Sequence, residues 1–143
     1  MTSCIVFFPQ FVLYLGFWIQ AFGFAKHVEM CIQKARQAQV VLMDILLQFS
    51  LVGLALKKDL YVAKVRSRLK YGNEIWGVEQ SAFGFSKNEA PWLRWLYGAT
   101  RRPRTEAIRW ILQLQKVEDE SLLAAFRFYG QTLCYGDEIE KIA

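Results

Sequence analysis

The segment from residue 26 to residue 49 reads KHVEMCIQKARQAQVVLMDILLQF, and its periodicity decides the fold class. Its apolar residues recur mostly at steps of three and four positions: Val28, Ile32, Ala35, Leu42, Ile45, Leu46 and Phe49. Charged or polar side chains fill much of the remainder: Lys26, Glu29, Lys34, Arg36, Gln37 and Asp44. This pattern predicts an amphipathic helix that packs with one face and meets water with the other.

The chain beyond this helix carries further helical patterns that turn residues separate. The predicted helices are Leu54–Leu69, Pro91–Tyr97 with Pro91 in its first turn, Thr105–Leu114 with Thr105 as its cap, and Glu118–Cys134. A loop is predicted over Val78–Asn88, which contains Gly84 and several polar residues. Residues 26–143 are therefore expected to form a helical bundle.

The N-terminal segment Cys4–Ala25 is strongly apolar and about long enough to cross a bilayer. Pro9–Gln10 and Gln20 interrupt it, and no charged region precedes it as in a signal peptide. Its aromatic and β-branched residues favour two short strands, Ile5–Phe8 and Phe11–Ile19. A β-hairpin in residues 1–25 is therefore the preferred prediction, and a small membrane protein anchored by residues 4–25 is the alternative.

Length and composition favour one folded domain of mainly α class. A chain of 143 residues matches the length of a single domain, and a hydrophobic fraction of 54% argues against intrinsic disorder. The formal net charge is +5, from 18 basic and 13 acidic residues. This excess suits a polyanion partner and equally an ordinary basic protein, so the placement of the charges matters more than their sum.

The residue types that catalysis and metal binding use are sparse and scattered. Cys4, Cys31 and Cys134 are far apart in the chain, which indicates neither a zinc site nor a disulfide framework. Buried free thiols in a reducing, intracellular compartment are expected instead. His27 is the single histidine, and no nucleophile elbow accompanies it. We therefore expect no catalytic residue, no metal, no cofactor and no small-molecule substrate in this chain.

The predicted helix Leu54–Leu69 has polar positions that are almost all cationic. They are Lys57, Lys58, Lys64, Arg66 and Arg68, with Lys70 just beyond. Lys57, Lys64 and Arg68 share one helical stripe with Tyr61 between them, an arrangement that suits a nucleic-acid backbone. A merely solvated basic face gives the same pattern. A second, weaker basic patch consists of Arg101, Arg102 and Arg104.

Three segments carry a resemblance to a known family. They are YLGF at residues 14–17, followed by His27–Val28 and Lys34–Ala35; VRSRLKYGNEIWG at residues 65–77; and LRWLYG at residues 93–98, followed by RRP at residues 101–103. In this order they resemble the region that follows the active site in non-LTR (LINE-type) retrotransposon reverse transcriptases. The resemblance runs from about Phe11 to Tyr129, and YGNEIWG is its most specific element.

The resemblance implies a duplex-holding role without catalysis. It places Tyr14, Leu15 and Gly16 on the primer grip, and Lys64, Arg66, Arg68 and Lys70 in the thumb, which clasps an RNA/DNA primer–template duplex. The family's polymerase uses Mg²⁺ held by paired aspartates. The aspartates here, Asp44, Asp59, Asp119 and Asp137, are isolated from one another. The expected identity is a post-catalytic fragment that retains at most sequence-indifferent nucleic-acid binding.

Overall fold

The computed structural model describes residues 11–14, 16–20, 23–49, 51–78, 84–99 and 102–142. The elements are strands β1 (Phe11–Tyr14) and β2 (Phe17–Gln20) and helices α1 (Ala25–Gln48), α2 (Leu54–Tyr61), α3 (Ser67–Leu69), α4 (Asn73–Trp76), α5 (Phe85–Tyr97), α6 (Thr105–Leu112) and α7 (Val117–Ile142), with a π-helical turn over Val62–Arg66. The predicted fold class, mainly α with a short N-terminal β-hairpin, is confirmed.

The hairpin pairs β1 and β2 antiparallel, with Phe11 opposite Gln20 and Tyr14 opposite Phe17. Gly16 lies in the turn at a φ of 78°, a conformation that glycine adopts without steric cost. A single strand over Phe11–Ile19 was therefore a wrong prediction, because the chain reverses inside it. The predicted strand Ile5–Phe8 lies outside the described residues.

Helix α1 matches the predicted helix to within one residue at each end. Its buried apolar residues are Val28, Cys31, Ala35, Ala38, Leu42 and Leu46. They follow the three- and four-residue steps of one helical face and pack against the π turn and α3. Ile45 and Phe49, which the periodicity assigned to the packed face, are exposed.

Residues 54–69 form one continuous helical run, as predicted, but the π turn was not foreseen. A π turn accommodates an extra residue and so shifts the positions beyond it by about 100° relative to a regular α-helix. Tyr61, Val65 and Leu69 all face inward and are fully buried. Arg66, beside Val65, is carried inward with them.

The YGNEIWG segment forms a packing corner after α3. Gly72 adopts a left-handed φ of 72°, which ends the run and starts α4. Trp76 is completely buried, stacks on Phe85 at 5.1 Å between ring centroids, and donates its indole N–H to the Tyr71 carbonyl at 2.9 Å. The aromatic and glycine positions of the motif therefore have a structural explanation in this fold.

The same corner brings α4 close to α7. A Cβ on Gly77 would overlap the main-chain carbonyl of Ser121, so this position has room only for glycine. Asn73 donates from its side-chain amide to Ser121 Oγ at 3.3 Å. The close approach explains why α7 presents small residues, Ser121 and Ala125, to α4.

The predicted start of one helix and the predicted cap of another were wrong. Helix α5 begins at Phe85, after Gly84 with a φ of 59°, and so contains Pro91 in its interior instead of in its first turn. Pro91 removes the hydrogen bond to the Lys87 carbonyl, and this is tolerated where Lys87 faces solvent. Thr105 is the first residue of α6 and is buried, and its hydroxyl accepts a hydrogen bond from Arg94 at 3.3 Å.

Candidate nucleic-acid interface

A groove runs between α1 and the helical run over residues 62–69. Its upper part is a cavity of about 620 Å³ lined by Gly16, His27, Met30, Cys31, Lys34, Gln37, Ser67, Arg68 and Tyr71. Its lower part, of about 450 Å³, is lined by Gln37, Ala38, Val41, Leu42, Ile45, Lys64 and Arg68. Because Gln37 and Arg68 border both parts, the two form one continuous concavity, here named the α1 groove.

Three cations converge on the α1 groove. Lys34 extends from α1, Lys64 from the π turn and Arg68 from α3, and all three side chains are exposed. Within the described part of the chain, none of them lies within ion-pair distance of a carboxylate, and no carboxylate lines either part of the groove. A concave surface with one sign of charge concentrates the potential that attracts an anion.

The remaining polar lining of the groove is modest. Ser67 donates its hydroxyl to the Ala63 carbonyl at 2.7 Å, and Gln37 is exposed. Tyr71 is about half exposed at 49% and closes the upper end. The hairpin turn approaches it closely, since a Cβ on Gly16 would lie 3.6 Å from the Tyr71 hydroxyl. The hairpin, α1 and the turn after α3 therefore meet at this end.

His27 connects these three elements. Its Nδ1 accepts the backbone N–H of Trp18 in β2 at 3.3 Å, and its Nε2 lies 3.0 Å from the Tyr71 carbonyl. Since a carbonyl only accepts, these partners assign the proton to Nε2 of a neutral imidazole. Burial lowers the pKa of His27, the hydrogen bond to Tyr71 raises it, and the charge of Lys34 lowers it further. His27 therefore has a structural role, since it joins the hairpin to α1 and to the turn after α3.

The described cysteines differ in exposure. Cys31 is buried, with its Sγ 3.4 Å from Nε2 of His27, and burial raises its pKa to about 11. At that pKa the thiol stays protonated at neutral pH and is a poor nucleophile. Cys134 is exposed on α7, so the prediction of buried thiols holds for Cys31 and is wrong for Cys134. Cys4 lies outside the described residues.

Two residues predicted to contact nucleic acid are buried instead. Tyr61 is 0% and Arg66 is 1% exposed, so neither reaches the surface, and the prediction that they contact nucleic acid was wrong. Tyr61 donates its hydroxyl to Glu89 at 2.9 Å, and Arg66 Nε lies 3.2 Å from the same carboxylate. Arg109 of α6 donates to the other oxygen of Glu89 at 3.0 Å.

This buried network extends to α7. Arg66 pairs with Glu120 at 3.3 Å and donates to the carbonyl of Gln115. Lys70 pairs with the other oxygen of Glu120 at 2.8 Å, which turns its charge away from the α1 groove. Burial, above all, and the Glu89 carboxylate raise the pKa of the Tyr61 hydroxyl well above its ordinary value. These side chains connect four helical segments, and no sequence pattern predicted the pairing of Glu89, Arg109 or Glu120.

The other predicted binding residues are dispersed. Lys57 is half-buried on α2 and does not line the α1 groove, whereas Arg102 and Arg104 are exposed in the segment before α6. Arg101 and Leu15 lie outside the described residues, Tyr14 ends β1, and Gly16 lines the groove. Of the predicted set, the structure therefore brings together Gly16, Lys64 and Arg68. The groove also contains Lys34, Gln37 and Ser67, which were not predicted to bind nucleic acid.

Comparison of the chain with protein-family models, with curated proteins and with solved structures finds no match. The resemblance to non-LTR reverse transcriptases therefore stays a prediction that rests on the motifs. Among the residues that the structure describes, no three metal-ligating side chains come together. In the same residues, no helix combines the length and apolar character needed to cross a membrane.

Proposed function

We propose that this protein binds the phosphate backbone of nucleic acid in the α1 groove, without sequence preference. The observation that supports the proposal is the convergence of Lys34, Lys64 and Arg68, from three parts of the chain, on one concave surface without a facing carboxylate. Lysine and arginine on such a surface release counterions from a nucleic acid, and this supplies sequence-independent affinity.

The lining of the groove favours backbone contacts over contacts with bases. Proteins that hold single strands stack successive bases on aromatic side chains, and those that read sequence place several donors and acceptors against base edges. Tyr71 is the one aromatic residue that lines the described groove. A duplex, which presents phosphates outward and keeps its bases stacked, therefore fits this surface better than a single strand.

The motif resemblance leads to the same proposal. It implies a primer grip at residues 14–16 and a thumb in the helices that follow, and Gly16 of the first region lines the same groove as Lys64 and Arg68 of the second. We infer that the chain is related to the post-catalytic part of a non-LTR reverse transcriptase and holds an RNA/DNA duplex. Binding to the groove needs no metal, although the full-length family uses Mg²⁺ for catalysis.

Fluorescence anisotropy of a short labelled RNA/DNA duplex tests the groove. Three phosphate contacts predict that affinity falls about 40-fold between about 50 and 200 mM salt. The double variant Lys64→Gln with Arg68→Gln leaves one contact and should reduce that fall to about three- to fourfold. The matched control is Arg102→Gln with Arg104→Gln, which removes the same charge from exposed positions outside the groove.

The comparison of the two double variants decides between the groove and net charge. Equal losses of affinity in both would show that only net charge matters and would refute the groove. Absence of binding at low salt would refute the proposed function altogether.

In a separate assay, incubation with primer–template, nucleotides and Mg²⁺ should give no incorporation above background, because no paired aspartates are present. Metal-dependent incorporation would contradict the assignment as a post-catalytic fragment.

A further inference from the structure

The second half of α7 carries apolar side chains that the fold does not bury. The buried residues of α7 are Val117, Ser121 and Ala125, and all three lie in its first half. From Phe126 to Tyr135 every residue is exposed. A helical segment without tertiary packing is only marginally stable in water, so exposed apolar residues on it indicate a contact with another molecule.

Four exposed residues of α7 follow the spacing of a helix–helix contact. Leu122, Phe126, Tyr129 and Leu133 are separated by four, three and four positions, and their exposed fractions lie between 38% and 74%. This is the heptad spacing with which two helices pack along each other. The four residues, here named the α7 seam, lie about 100° around the helix from its buried residues and so form a separate face.

The α7 seam has the same order of residue types from either end. It runs from a leucine through two aromatic residues to a leucine, with symmetric spacing. A two-fold axis that crosses the helix midway between Phe126 and Tyr129 places Leu122 of one copy opposite Leu133 of the other, and Phe126 opposite Tyr129. A two-fold contact requires such a self-complementary surface. We propose that the α7 seam joins two copies of this chain in an antiparallel helix pair.

The charges of α7 disfavour a lipid surface or a nucleic acid as the occupant of the seam. Between Ser121 and Gly136 the single charged residue is Arg127, and over the whole of α7 acidic residues outnumber basic ones by six to two. Such a surface attracts neither anionic headgroups nor phosphates. No residue of α7 lines the α1 groove, so the inference goes beyond the proposed function and does not depend on it.

The exposed area of the seam suits a weak dimer. Together with the flanking Leu123, the seam exposes on the order of 500 Å² per copy, so a symmetric pair would remove on the order of 1,000 Å² from water. This is near the lower limit for a specific interface, and a Kd in the micromolar range is expected. The Tyr129 ring packs edge-on against Phe128 at 5.8 Å between ring centroids, which reduces the entropy that it loses on association.

The antiparallel orientation follows from how α7 joins the rest of the fold. Helix α4 packs against Ser121 and Ala125, in the first half of α7. A parallel pair would bring both folded bodies to the same end of the seam, whereas an antiparallel pair places them at opposite ends. The antiparallel pair also sets the N-terminus of each helix beside the C-terminus of the other, where the helix dipoles attract.

Sedimentation equilibrium of the full chain tests the pairing, without nucleic acid and between about 1 and about 200 µM protein. The unmodified chain should show a monomer–dimer equilibrium. Leu122→Lys and Leu133→Glu each place a charge against a leucine of the second copy, so each should raise the Kd at least about tenfold. In the antiparallel pair, the variant with both substitutions sets each introduced ammonium opposite an introduced carboxylate. Its Kd should therefore return to within about threefold of the unmodified value.

Matched controls separate the seam from the charge that the variants introduce. Gln131 is exposed on the opposite side of α7, so Gln131→Lys and Gln131→Glu add the same charges outside the seam and should leave the Kd within about twofold. Circular dichroism of each variant checks that the helices are intact. Lys64→Gln with Arg68→Gln should dimerise like the unmodified chain, because neither residue belongs to the seam.

The outcomes decide the inference and keep it apart from the proposed function. An unmodified chain that stays monomeric over this range, or that forms species larger than a dimer, overturns the inference. A dimer that both single variants leave intact does so too, because the contact then lies elsewhere. Failure of the variant with both substitutions to recover overturns the antiparallel pairing. A dimer that binds no duplex supports the inference and refutes only the proposed function.

Discussion

Lys64 and Arg66 stand two positions apart in the same helical run, yet they lie in opposite environments. Lys64 is exposed in the α1 groove, whereas Arg66 is buried and pairs with Glu89 and Glu120. The run therefore has an interior side, with Tyr61 and Arg66 in the buried network, and a groove side, with Lys64 and Arg68.

The difference teaches that cationic residues of one helix serve two separate purposes. A buried ion pair costs desolvation that its Coulomb attraction roughly offsets, and loss of one partner leaves an uncompensated charge. An exposed cation contributes little to stability and stays available for a ligand. Substitutions on the interior side should therefore change stability, and those on the groove side should change binding.

The largest effect on stability is expected at Glu89. Glu89→Gln removes the one anion shared by Arg66 and Arg109, so the free energy of unfolding should fall by about 3–5 kcal/mol. Urea denaturation followed by circular dichroism measures it. Asp44→Asn, an exposed carboxylate of α1, is the control and should stay within about 0.5 kcal/mol. Equal effects of the two substitutions would remove the distinction between interior and exposed charges.

A smaller loss is expected at Gly77, where the YGNEIWG corner meets α7. Gly77→Ala places a methyl group against the Ser121 carbonyl, and separation of the two helices should cost about 1–3 kcal/mol in thermal or urea unfolding. Gly130→Ala, in the exposed part of α7 with open space around it, should instead stabilise by about 0.5–1 kcal/mol. Opposite signs at these two glycines are the diagnostic result.

At the buried residue Gln39 of α1, a substitution should raise stability instead of lowering it. This side chain is buried on α1, and neither its amide oxygen nor its nitrogen has a hydrogen-bond partner among the described residues. Gln39→Met keeps the volume and removes the unpaired groups, so stability should rise by about 1–2 kcal/mol. Gln37→Met, on the exposed groove side, should leave the urea midpoint unchanged. Destabilisation by Gln39→Met would show that the amide makes contacts of its own.

The smallest effect on stability is expected for the groove cations. Lys64→Gln with Arg68→Gln should change the free energy of unfolding by no more than about 0.5 kcal/mol, because neither residue pairs with a carboxylate in the described part of the chain. The same double variant should bind the duplex more weakly, and with a smaller salt dependence, in the anisotropy assay. A strongly destabilised double variant would show that these cations belong to the folded framework.

Local patterns predicted the helices well and their ends less well. The start and end of α1 and the helical run over residues 54–69 follow from apolar periodicity, which is a property of consecutive residues. The start of α5 does not follow from apolar periodicity. A left-handed Gly84 can begin a helix, and an interior Pro91 is tolerated where the affected carbonyl faces water. The hairpin turn at Gly16 was not predicted, because the break between strands was placed at Pro9–Gln10.

The sequence by itself determined the mainly helical class, the amphipathic α1 and the scarcity of catalytic residue types, since each depends on local order or on composition. Only the tertiary structure decided which cations are buried. Glu89 is 28 positions from Tyr61 and 20 positions from Arg109 in the chain, yet it binds both. The same carboxylate pairs with Arg66 in the interior, while Lys64 and Arg68 remain exposed. Equal charges two residues apart thus acquire different roles, because burial depends on which distant side chains arrive beside them.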